Sequence, residues 1–314
     1  MDIITFECRT ITKIQMSGAK LKKYEMRASS IKGVMRFWWR ACNGQLNLKQ
    51  LKERENAIFG STSNRSSFTI NMITPQDELN NFVVKFTMTK QQVTCNQEVI
   101  FDLTCLKSLF EIVATLGGLG MDSRLGQGSF EIKKCIINDV DIIRHRKGVD
   151  LELLDEKIKI ISGTDNLDHE YSDYNDVIEY YESLELIPSI RLIEILEVKP
   201  NVRPYSLLKD IEASILSVQK EDRKSYIKQG DPKLRSTIVF SVNRVGRSLQ
   251  VIVSTINIVR EREIKDKLYE LALKNPSSSE KNILEKNEKE ITQYKRKGRD
   301  IQQDIIEYLK GRIE

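Results

Sequence analysis

Period-2 and helical patterns run strand, helix, strand, strand, helix, strand over residues 1–140. The same order begins again near Ile190, and a charged, acidic stretch with little apolar continuity separates the two runs. These three observations predict an α+β chain of two ferredoxin-like (βαββαβ, RRM-like) modules in tandem, with a helical and acidic insertion and C-terminal helices. The expected boundaries are 1–140 for the first module with its glycine-rich loop, 141–189 for the insertion or linker, and 190–314 for the second module with terminal helices. A length of 314 residues exceeds the usual single-domain size, and 40% hydrophobic with 7% aromatic content is enough for two cores.

Each element has a local reason. Residues 3–12, IITFECRTIT, alternate as a half-buried strand with Ile4, Phe6 and Cys8 on one face. A basic loop from Met16 to Met26 carries Lys20, Lys22 and Lys23, with Arg27 just beyond it. Helix follows from Ser29, with Ser29 and Ser30 as expected caps, to about Cys42, and a second helical segment runs from Leu48 to Phe59. Strands are expected at Phe68–Ile73 and Phe82–Thr89 around a turn with Pro75. Asp102 then caps an apolar helix reaching about Leu116, and Phe130–Ile137 closes the module. The repeat offers a strand at 190–198, a helix at 205–219 opened by Pro204, strands at 236–243 and 248–258, and charged helical sequence from about Glu261, interrupted at Asn275 to Ser279.

The window Ser29 to Arg40, SSIKGVMRFWWR, concentrates charge and aromaticity. At helical spacing Ile31, Val34, Met35, Trp38, Ala41 and Cys42 share a core face, while Lys32, Arg36 and Arg40 stack as a cation stripe at i, i+4 and i+8. Three stacked cations repel one another, and an anion relieves that repulsion. Arginine forks bond two phosphate oxygens at once, and Trp39, at the border of the stripes, could offer an indole face to a base. An amphipathic helix with buried tryptophans and snorkelling arginines accounts for the same pattern.

The loop GGLGMDSRLGQGS, Gly117 to Ser129, holds five of the fifteen glycines: Gly117, Gly118, Gly120, Gly126 and Gly128. Such density lets backbone amides approach a ligand, so a phosphate-cradling loop is one reading, with Ser123, Arg124 and Gln127 as side-chain donors. The other is a long connection packed against its neighbours. It is neither a dinucleotide fingerprint nor a P-loop, since a helix precedes it, a strand follows, and no G-K-[ST] occurs.

Charge distribution adds to this. The net charge is only +5, but residues 1–49 carry ten Lys/Arg against three Asp/Glu, whereas residues 151–200 carry four against thirteen. Bunched cations are the footprint of a phosphate-bearing partner. The five cysteines, Cys8, Cys42, Cys95, Cys105 and Cys135, are scattered, with no C-x-x-C pair, and read as reduced core residues. No metal site is expected, because His145 and His169 stand at no ligand spacing from a cysteine, and no cofactor or small-molecule substrate is implied. No run approaches the ~18 apolar residues of a membrane span, so no membrane partner is expected and the cytoplasm is the default location.

A glycine-rich loop just before the last strand of a ferredoxin-like module resembles the signature of the RAMP proteins, RNA-binding subunits of CRISPR effector complexes. More narrowly, RASSIKGVMRFWWRA, then AIFGS at 57–61, then GGLGMDSRLGQGSF are similar, in that order, to the first subunit of the Cmr complex of type III-B systems. KLRSTIVFSV at 233–242, with Arg235, is a weaker echo in the second half. The resemblance implies a non-enzymatic RNA-binding subunit at one end of a ribonucleoprotein used in antiviral defence. Its implied partners are guide RNA, target RNA and neighbouring RAMP subunits. The implied RNA contacts are Lys22, Lys23, Arg27, Lys32, Arg36, Trp39, Arg40, Gly120, Ser123, Arg124, Gly126, Gln127, Gly128 and Arg235. Two other readings stand beside it: a guide-RNA-processing endoribonuclease, for which the histidines lie outside the three motifs and Asp122 is a lone carboxylate, and a purely structural cap.

Overall fold

A computed structural model describes residues 2–16, 25–73, 81–142, 148–163, 190–217, 238–256 and 301–314. Alternation places Ile4, Phe6 and Cys8 of β1 (Ile3–Thr10) in the core, and Phe82, Val84, Phe86 and Met88 of β3 (Asn81–Met88) beside them. β1 sits centrally, antiparallel to β3 on one side and to β6 (Phe130–Ile137) on the other. With β2 (Phe68–Ile73) outside β3 and the short β7 (Val140–Ile142) outside β6, the order is β2-β3-β1-β6-β7. Apart from the added β7, this is the order that a βαββαβ chain forms when each crossover helix returns to the same face. A hairpin that periodicity did not suggest, β4 (Val93–Cys95) and β5 (Glu98–Phe101), turns through Asn96 and Gln97, both at positive φ.

The helices are capped by their own sequence, with one correction. α1 (Ala28–Cys42) begins earlier than expected: Arg27, not Ser29 or Ser30, is the cap residue, and no side chain caps the first turn. α2 (Leu48–Phe59) opens on a reciprocal pair in which Asn47 accepts from the Gln50 amide and Gln50 accepts from the Asn47 amide. The Asp102 carboxylate accepts from the Cys105 amide to start α3 (Leu103–Leu116), as expected. Inside the stretch read as an insertion, α4 (Leu151–Ser162) forms from the Asp150 cap to Gly163 in the left-handed region. It docks on α3 through Leu154 and Ile161, and its Lys157 ammonium meets the buried Glu111 carboxylate at 2.9 Å.

The second sheet runs β8-β10-β9, formed by β8 (Ile190–Glu197), β9 (Ile238–Val245) and β10 (Ser248–Ile256), all antiparallel. α5 (Pro204–Ser217) starts at the proline, as its position predicted, and α6 (Ile301–Ile313) packs beside it. Among the described residues this sheet has three strands rather than the four of a full repeat.

β9 and β10 are buried on both faces. Val239, Ile252 and Ile256 join the core of the first sheet and its helices, while Phe240, Val242, Val251 and Val253 meet Leu207, Ile211, Ile306 and Leu309 of α5 and α6. The layers are therefore sheet, helices, sheet, helices. The inner seam is also polar: Ser241 Oγ and Asn243 Nδ2 both donate to the Thr115 carbonyl at the end of α3. Among the described residues no helix is long and apolar enough to cross a membrane.

Candidate nucleic-acid interface

The cation stripe of α1 lies where the period placed it, but an anion from the chain itself already meets most of it. Arg40 forms a bidentate pair with Glu55 of α2, Nε to Oε2 and Nη2 to Oε1, both at 2.7 Å. Arg36 approaches the same carboxylate at 3.6 Å and donates to the carbonyls of Phe59 and Gly60 at 3.2 and 2.6 Å. Glu55 is 5% exposed, whereas the side chains of Arg36 and Arg40 keep 34% and 41% exposure. Lys32, one turn earlier, has no ion pair among the described residues, and its ammonium sits over the Phe68 ring at 5.4 Å. Partial burial, and then the neighbouring Arg36, push the Lys32 pKa below the ordinary lysine value.

The aromatic residues take other places than expected. Trp38 is in the core, as its period required, but Trp39 is buried too, edge-on to Phe59 at 6.0 Å and covered by α2. Trp39 therefore offers no face to a base here, a correction whose cause is the docking of α2, which the period of α1 does not encode. Phe37 is the half-exposed ring of this helix, and the Arg124 guanidinium lies over it at 4.7 Å. Arg124 thus stands beside α1 although it lies 87 residues after Phe37. Arg27 is exposed at the head of the helix, while Lys22, Lys23 and Arg235 lie outside the described residues.

The glycine loop makes close backbone approaches, but to the chain itself. Gly120, Gly126 and Gly128 have φ of +96°, +81° and +66°, the region that side chains disfavour. Added β-carbons at Gly120 and Gly128 would run into the backbones of Gln15 and Leu119, and one at Gly118 would lie 2.5 Å from the Gln127 carbonyl. Loop amides are used the same way: Leu119 donates to Gly128, Met121 to Gln15, Gly128 to Lys13, and Ser129 to Thr12 Oγ1. These amides are thus taken by protein acceptors rather than left for phosphate. Instead the loop edges β9, where the Phe240 amide donates to the Arg124 carbonyl and the Val242 amide to Ser129 Oγ. Ser123 and Gln127 are half-exposed on this loop, and Asp122 and Met121 are exposed at its tip.

Among the described residues no group of three metal-ligating side chains occurs, and His145 and His169 lie outside them. Cys8, Cys42 and Cys135 are buried thiols, while Cys95 and Cys105 are half-buried; burial pushes the Cys105 pKa up to about 12. The open face of the first sheet shows Thr5, Glu7, Val83, Lys85, Thr87 and Lys134, with no aromatic ring among these described residues. Sequence reasoning missed Glu55, although the apolar face Leu51, Glu55, Ile58 of α2 carries its signal: a carboxylate in a buried stripe calls for a cation partner.

Comparison with known proteins bears on this module directly, since residues 7–94 match the model of the RAMP superfamily. Over these residues the N-terminal module is similar to the RAMP superfamily. The match runs from within β1 through α1, α2, β2 and β3 into β4, and so includes the elements that carry and position the cation stripe. The chain is 26% identical over 221 residues to the CRISPR system Cmr subunit Cmr1-1 of Pyrococcus furiosus, covering 59% of this chain and 64% of that one. It is 45% identical over 64 residues to Cmr1-2 of the same organism, covering 19% of this chain and 34% of that one. The matched region thus spans less than two thirds of the length of these curated relatives. Among solved structures, apo Cmr1 from P. furiosus matches with a TM-score of 0.50 at 19% identity, over 83% of this chain and 89% of that one. A chain of the type III-B Cmr-β complex bound to cognate target RNA matches with a TM-score of 0.53 at 11% identity, over 82% and 94%. These structural likenesses establish a shared fold.

Proposed function

We propose that the chain is a non-catalytic, RNA-binding RAMP subunit of a cytoplasmic type III-B Cmr ribonucleoprotein, touching guide or target RNA at one end of the complex in antiviral defence. Its two ferredoxin-like modules, 1–140 and 190–314, are joined through the 141–189 segment, and neighbouring RAMP subunits are its protein partners. The observation that carries the reading is the charge balance on α1: of three stacked cations, Lys32, Arg36 and Arg40, only the two arginines meet a carboxylate, Glu55, and Arg124 is brought alongside. The surplus is positive and partly exposed, and Lys32 has the chemistry of a phosphate contact awaiting its anion. Likeness to Cmr1 subunits and to a chain of a Cmr complex bound to target RNA supports the choice of polymer.

The test is binding of a fluorescein-labelled single-stranded RNA to the purified chain across a salt series. Lys32→Ala is expected to weaken binding and to lower the salt slope by about 0.7, the value of one phosphate contact on a single strand. Unchanged affinity and slope in Lys32→Ala, with the wild-type fold, would remove α1 from the interface. Incubation of the same RNA with and without Mg²⁺ is expected to leave it intact. Cleavage that persists through repurification and vanishes in His145→Ala or Asp122→Ala would replace this reading with a nuclease.

A further inference from the structure

Gly33 stands in the second turn of α1, where a glycine weakens the helix relative to alanine, and nothing among the described residues asks for it. Elsewhere the structure explains its glycines. At Gly117 an added β-carbon would lie 2.5 Å from the Trp38 indole nitrogen, and Gly120 and Gly128 combine positive φ with backbone contact. Gly163 and Gly246 have open space but positive φ. Gly33 has neither reason: its φ is not in the left-handed region, and a β-carbon there would meet no atom of the described residues within 4 Å. Gly311 shares this freedom, but it lies in the last turn of α6, where a weak helix former costs less.

What surrounds the bare patch says what approaches it. Lys32 is next to Gly33, and Arg36 and Phe37 stand one turn on. Phe37 carries the Arg124 guanidinium over its ring, brought there from the glycine loop. One side of the patch therefore holds Lys32 and Arg36, and the other holds Arg124, with Ser29 and Ser30 one turn before. A smooth strip of helix backbone between cations suits a flexible polyanion that must come within contact distance of the helix to reach them.

We infer that Gly33 is a contact residue for RNA: the sugar–phosphate backbone crosses the second turn of α1 against its bare surface, flanked by Lys32 and Arg36 on one side and Arg124 on the other. The inference rests on the RNA-binding reading above and locates the path of the strand within it. It also explains why the helix keeps a residue that its own stability disfavours. Steric room rather than charge is what Gly33 supplies, so its role is separable from that of the cations.

Gly33→Ala and Gly33→Gln test this in the full chain, each with a thermal melt and with binding of fluorescein-labelled single-stranded RNA at fixed salt. Both residues favour helix over glycine, so both variants are expected to fold, with the alanine midpoint raised by about 2 °C. RNA affinity is expected to move the other way, weakening about 3-fold for alanine and about 10-fold for the longer glutamine. Higher stability with weaker binding is a combination that a purely structural glycine does not produce. If both variants bind like wild type while Lys32→Ala weakens binding, the inference falls and the RNA-binding reading stands. If Lys32→Ala is also silent, α1 leaves the interface and the inference falls with it. A glutamine variant that keeps its RNA affinity but no longer enters a reconstituted complex would make the patch a protein contact and overturn the assignment. A lowered melting midpoint in Gly33→Ala would show that the fold does require the glycine, and would equally overturn it.

Discussion

A carboxylate that is 5% exposed must be held by a cation, and Glu55 is held by two. Glu55→Gln keeps the shape of the side chain and removes its charge, leaving Arg36 and Arg40 to repel each other. Both arginines reach solvent, so the loss is about 1–2 kcal/mol rather than the larger figure of a fully buried pair. The same change makes the stripe more positive. The variant is therefore expected to melt earlier but to bind single-stranded RNA more tightly, and a melt beside a binding isotherm reads both. Lys32 gives a pH dependence of opposite origin. Its folded pKa is lowered by burial and by Arg36, so between the folded and ordinary lysine values the unfolded chain binds more protons. Stability from this residue thus rises as pH climbs through that window, whereas RNA, which needs the ammonium, is bound less well there. Binding measured up the alkaline range should fall earlier for wild type than for Lys32→Arg, whose charge persists. The period of α1 alone made Lys32, Arg36, Arg40 and the buried Trp38 legible. Glu55 and Arg124 were not, because their contacts with α1 cross 15 or more residues, and the burial of Trp39 was not, because it involves Phe59 of α2, which the period of α1 does not encode.

At the scale of elements, the glycine loop shows that a dense glycine signal marks close packing without naming the partner. Glycines mark close backbone approach, but they do not say to what. Here the partner is the chain itself, through Gln15, Leu119 and the edge of β9. Gly128→Ala sets a β-carbon against the Leu119 carbonyl at a positive φ, with no flexible side chain to yield, and is expected to destabilise the fold severely or to prevent its accumulation. Gly126→Ala meets only the ends of Leu208, Ile211 and Val242, at 3.1 to 3.4 Å, so its cost is the positive φ plus mild crowding, about 1–2 kcal/mol. Asp122→Asn, exposed at the loop tip and itself at positive φ that asparagine tolerates, should leave the melt unchanged. Circular-dichroism melts of the three variants would rank them. The same scale shows why the first sheet was legible and parts of the rest were not. β1, β2 and β3 alternate between core and surface, and Asp102 and Pro204 mark helix starts. α4 hides within acidic sequence because its apolar stripe is short and its Lys157 is buried by pairing with Glu111.

At the scale of the whole molecule, strands β9 and β10 decide whether the two halves behave as one body. A sheet buried on both faces is a shared wall: Val239, Ile252 and Ile256 belong to the first core, and Phe240, Val242, Val251 and Val253 to the second. The wall is pinned by directional bonds, from Ser241 and Asn243 to Thr115, from Phe240 to Arg124, and from Val242 to Ser129. Both tryptophans, Trp38 and Trp39, lie in the first core, so indole fluorescence reports that half alone. Phe240 is fully buried on the far face, among Leu207, Ile211 and α6, and touches the first half through its backbone amide. Phe240→Ala is expected to cost about 3–5 kcal/mol, the range for deleting a buried aromatic ring. If the wall couples the cores, the fluorescence midpoint must fall with the far-UV circular-dichroism midpoint, although the lost ring faces away from both indoles. Independent modules would instead leave the tryptophan transition in place and split the dichroism melt in two. A coupled result would carry a consequence for RNA binding as well. Arg124 is held beside Phe37 by its carbonyl bond to β9, so loosening the second sheet would spread the cations around α1 without altering any residue in that helix.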